Sequence, residues 1–155
     1  MRYAPVALLA GITCTAAPTF AGIVDSPIPA PFKQHVYSVS GVVNDGWATM
    51  FFCTNADKKA VTIGVEVFGE AGGAPANDAA SNALLTLPGQ SVLFVTNGVG
   101  GFLADSGLSP GTISKGSARI LSTSKKIVCS AVLAKTDGTS MAPLSVVAKT
   151  KQKGD

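Results

Sequence analysis

The feature that most constrains this chain is a series of short apolar runs that alternate with a period of two and never settle into a helical period. The clearest spans 61–68, where Val61, Ile63, Val65 and Val67 share one face and Thr62 and Glu66 the other. Similar runs occupy 36–43, 48–54, 83–87, 91–96, 117–122, 126–134 and 144–149. Turn formers separate them, among them Asn44, Asp45 and Gly46, then Asn55 and Asp57, then Asp137 and Gly138. Pro88, Gly89 and Gln90, set between two apolar runs, predict a tight hairpin. Only 77–85 is alanine-rich enough for a turn or two of helix. Short strands without intervening helices predict an all-β antiparallel sandwich of seven or eight strands. Seventeen glycines suit its many turns.

In front of these runs, residues 1–21 read as an export leader. Arg2 supplies the positive start, 4–12 is a short apolar stretch, and Thr19, Phe20 and Ala21 fit small-x-small before a cut at Gly22. The apolar stretch falls well short of the ~20 residues a spanning helix needs. Cys14 would suit lipidation only with a Leu three residues before it and a small residue directly before it, where Gly11 and Thr13 stand. Cleavage leaves 134 residues, enough for one domain with a core. Without Arg2, eleven basic residues face nine acids, too small an excess to imply nucleic acid as a partner. Residues 22–34 carry Pro27, Pro29 and Pro31 and read as an extended arm, 35–150 as the domain, and 151–155 as a basic, solvated tail.

Cys53 and Cys129 lie inside strand-like runs and point to the apolar face of each. In an exported chain two such thiols are expected to oxidise to one disulfide, fastening one sheet to the other or neighbours within a sheet. Two buried free thiols acting as small hydrophobes are the alternative. The spacing is similar to the inter-sheet bridge of immunoglobulin domains, so the sandwich is expected to be immunoglobulin-like in architecture. Trp47 precedes the first cysteine, whereas in antibody domains the core tryptophan follows it.

Phe52 to Asn55, Val65 to Gly69, and Gly116 to Ser124 ahead of Cys129 resemble, in order and spacing, small secreted bacterial proteins of unassigned function. The resemblance covers about 36–134 and implies an exported β-domain. It carries no activity.

Reactive chemistry is sparse. His35 is the single histidine, read as an edge-strand or surface residue, and no Gly-x-Ser-x-Gly elbow accompanies it. Ser122 to Lys125 matches Ser-x-x-Lys but falls where a turn between strands is expected. The acids are dispersed, and Glu66 is expected on a solvated face. No cofactor or metal site is expected. The candidate ligand contacts are Trp47, as a sugar platform or else a core tryptophan, and Asp105 in a glycine-rich loop. The long loops 69–82 and 97–115 are where recognition would sit. The expected protein is a secreted, periplasmic or cell-surface structural or adhesive domain, non-enzymatic and self-associating. Its partner would be a protein, a cell-surface glycan or a second copy. An exported saccharide- or small-ligand-binding module, and a fimbria-like subunit lending its arm to a neighbour, are the alternatives.

Overall fold

The computed structural model describes residues 27–149, and among these there is no helix. The expected leader with Cys14, positions 22–26 of the arm, and the tail 151–155 lie outside the described residues. The strands are β1 (Gln34–Asn44), β2 (Trp47–Asn55), β3 (Val61–Phe68), β4 (Leu84–Thr86), β5 (Ser91–Val95), β6 (Ser106–Gly107), β7 (Ile113–Ser122), β8 (Ile127–Lys135), β9 (Met141–Pro143) and β10 (Val146–Ala148). They form two packed five-stranded sheets, ordered β10-β1-β7-β3-β4 and β6-β5-β2-β8-β9. Each expected run is a strand. The two unforeseen ones, β6 and β9, span two and three residues, too few for a period to show. β5 and β6 pair in parallel; the other described pairs are antiparallel. In place of the expected helical turn, the stretch 77–85 forms turns that lead into β4, with Asp78 accepting from Ala80 N–H and Ser81 Oγ–H rather than starting a helix.

Most turns carry the chain between sheets. β1 to β2, β2 to β3, β4 to β5, β6 to β7, β7 to β8 and β9 to β10 all change layer. The turn at Pro88 to Gln90 is therefore an arch, not the expected hairpin. β4 pairs with β3 and β5 with β2, so Leu84 and Phe94 join the same core from opposite sheets. Asp137 and Gly138 do close a hairpin between β8 and β9, with Gly138 at φ +76° and its N–H donating to Lys135 O at 2.9 Å. The core between the sheets holds Val39, Phe51, Ile63, Val65, Phe94, Ile120 and Ile127.

Cys53 and Cys129 form a disulfide. They sit directly opposite each other, Cα atoms 4.2 Å apart, in a β2–β8 ladder running from Trp47↔Lys135 to Asn55↔Ile127. The bridge thus joins neighbours within one sheet, unlike the inter-sheet bridge of antibody domains. Strand pairing brings the two Cβ atoms together, and no inter-layer contact is needed.

The outer faces are not simply solvated. On the β1 sheet, Phe32 from the end of the arm packs with Ala79 and Leu121, only 6% exposed. Its ring occupies the space a side chain on Gly64 would fill, which explains a glycine in the middle of β3. Loop 69–83 closes the same face. Asn77 takes the place of a neighbouring strand, its Oδ1 accepting from Val67 N–H at 2.7 Å and its Nδ2 donating to Val65 O at 2.8 Å. On the β2 sheet, Val99 and Ala104 of the next long loop cover Ala48, Met50, Val95 and Ala134.

Candidate functional site

The outer face of the β2 sheet follows from alternation along each strand. Inward Phe51 and Cys53 leave Ala48, Met50, Phe52 and Thr54 of β2 outward. Their partners place Ala134, Val132, Ser130 and Val128 of β8, with Val95, Leu93 and Ser91 of β5, on the same face. Met141 and Pro143 of β9 extend it. Loop 97–105 roofs one end only. It crosses from β5 to the β8–β9 turn, where Gly100 N–H donates to Thr136 O at 2.8 Å, and returns at Asp105. The other end stays open. Phe52 and Val132 are half-buried there, Val128 is 63% exposed, and Pro143 lies uncovered beside Val132, whereas Met141, opposite Ala134, flanks the roofed end. Leu103, on the loop that roofs the neighbouring end, is 95% exposed. Thr54, Ser91 and Ser130 put hydroxyls on this open end, with Thr54 and Ser91 bonded to each other at 2.7 Å, and Lys126, two positions before Val128, is exposed at its margin. The strip is apolar, uncharged and held on paired strands.

The two candidate ligand contacts do not share a site. Asp105 is an anchor: its Oδ2 accepts from Leu93 N–H at 2.7 Å, and its own N–H donates to Leu93 O at 3.0 Å. Leu93 pairs with Phe52, five positions along β2 from Trp47, or about 17 Å at the usual strand rise. Trp47 is half-buried at the end of β2, within none of the described core clusters. The Lys135 ammonium stands 5.8 Å from its ring centroid.

His35 is neither at an edge nor on the surface. β1 lies between β10 and β7, and the imidazole is 7% exposed. Its Nε2 lies 3.0 Å from both Tyr37 O and Ser38 Oγ. Ser122 to Lys125 forms the turn between β7 and β8, with Ser124 Oγ donating to Asp57 at 2.6 Å. Gly98 to Gly101 belongs to the loop over the β2 sheet.

Glu66 does face outward, but it is 4% exposed, not solvated. It is paired with Arg119, opposite it in the β3–β7 ladder. Arg119 is 1% exposed, lies 5.7 Å from the Phe68 ring centroid and donates to Pro27 O at 2.8 Å. The arm seals this pair from water. Alternation places Glu66 on the second face of β3, but only the covering arm decides whether that face is wet. Gly64 and Phe68 on that face were the sequence signals of a cover.

Comparison with family models, curated proteins and solved structures finds no match to this chain.

Proposed function

We propose that this chain is an exported, immunoglobulin-like sandwich domain that works by contact rather than catalysis, associating with a second copy of itself through the open end of the β2 sheet. The observation that carries the reading is the apolar strip of half-buried Phe52 and Val132 with exposed Val128 and Pro143, on a disulfide-fastened sheet. Apolar area in one strip on a rigid element is what association uses. The residues of the strip itself carry no charge, so a like face leaves no buried ion unpaired. The disulfide supports an oxidising compartment, and therefore a periplasmic, secreted or cell-surface location. Glycan stacking on Trp47 is not part of the proposal, because the Lys135 ammonium lies over that ring.

The test is the molar mass of the purified mature protein by sedimentation from low to high micromolar concentration. A dimer or larger species is expected. Val128→Lys places a charge on the strip at an exposed position and is expected to leave a folded monomer. A wild-type monomer throughout, or an unchanged oligomer in Val128→Lys, would remove the reading.

A further inference from the structure

β1 has unequal neighbours. β7 pairs with it from Gln34↔Ser122 to Asn44↔Ile113, whereas β10 holds it through Tyr37↔Ala148, Ser38↔Val147 and Val39↔Val146, with one more bond from Lys149 N–H to Val36 O at 2.9 Å. β10 is also the edge of its sheet, and Val147 and Ala148 are exposed. The β1–β7 register shifts between His35 and Tyr37, and the His35 side chain reaches into that bulge.

The hydrogen bonds decide the tautomer. Tyr37 O can only accept, so Nε2 carries the imidazole proton. Nδ1 is then the bare nitrogen. It is buried and has no hydrogen-bond partner among the described residues. A second proton would have to land on Nδ1, where nothing accepts it. The resulting cation would face Lys149, which follows β10, and Arg119 of β7, whose charge Glu66 of β3 offsets. Of the two cations Arg119 is locked and Lys149 is exposed on the weaker strand.

We propose that His35 makes β10 an acid-labile edge: protonating the buried imidazole repels Lys149 and loosens β10 from β1. Burial, and next Lys149, hold the imidazole below its ordinary value near 6.5; the Tyr37 carbonyl opposes them, and Arg119 adds a smaller downward push. The opened form takes up a proton more readily than the closed one. Closure is therefore complete above about pH 6.5 and weakens as the pH falls through that value toward the native one. This inference is independent of the β2-sheet strip.

The experiment is amide hydrogen exchange on the whole mature protein at about pH 7.5 and about pH 5.5, expressed as protection factors so that the intrinsic pH dependence cancels. The amides of Val147 and Lys149, whose N–H groups face β1, are expected to lose protection at the lower pH, by at most about tenfold, while β7 keeps its own. His35→Gln keeps a donor for Tyr37 O without titrating and should abolish the loss. Lys149→Met, at an exposed position, should shrink it. Unchanged protection of β10 in the wild type, or the same loss in His35→Gln, overturns the proposal. Should His35→Gln not fold, a loss in Lys149→Met equal to that of the wild type overturns it as well.

Discussion

Reducing the Cys53–Cys129 bridge tests how this sandwich is held. The cysteines are 76 positions apart. In the chain-entropy treatment a loop of that size restricts the unfolded chain by about 15 cal/mol/K, or about 4.5 kcal/mol at 25 °C. That is a large share of the ~5–15 kcal/mol that separates folded from unfolded domains. The native ladder supplies the rest of the argument. The two residues face each other in an unbroken run of β2–β8 pairs, so the sheet stays aligned when the bond is cut. The loss therefore belongs to the unfolded state. Urea unfolding of the same protein, oxidised and reduced, isolates the bond without changing a side chain, and intact mass confirms each redox form. The reduced protein is expected to be about 4.5 kcal/mol less stable, with a steeper urea dependence because its unfolded chain is more open. A native far-UV spectrum should persist before the transition. A difference below about 1 kcal/mol would refute the entropic account, and loss of β-structure on reduction alone would refute the claim that pairing rather than the bridge aligns β2 with β8.

Phe32→Ala should cost about 3–5 kcal/mol in thermal or urea melts, because the ring fills a closed space against Gly64, Ala79 and Leu121; a near-neutral result would mean the arm is dispensable. Glu66→Leu alone should cost about 3–5 kcal/mol by leaving the Arg119 cation buried without its carboxylate, and Glu66→Leu with Arg119→Met should recover most of that in a double-mutant cycle. Additive losses would show that the two side chains act independently. Asp105→Ala should cost about 1–2 kcal/mol in a thermal melt by removing the acceptor for Leu93 N–H, and Asp105→Asn, which keeps an acceptor, should cost less.

The amino-acid sequence alone determined eight of the ten described strands and their faces, missing the short β6 and β9. Strand alternation is written locally, since Val61, Ile63, Val65 and Val67 point one way whatever lies beside them. Turn residues likewise mark where the chain bends, as at Gly138. What a turn joins is not local. Pro88 to Gln90 has a hairpin's composition and makes an arch, because β4 and β5 already have other partners. The same limit governs the cysteines: their spacing along the chain is silent on which strands become neighbours, and pairing placed them within one sheet. Only the tertiary structure decided which outer faces are wet. Phe32 and loop 69–83 buried Glu66, and loop 97–105 roofed half of the β2 sheet while leaving Val128 bare. A period of two assigns each side chain to a face, but burial of that face depends on segments distant in sequence that fold back over it.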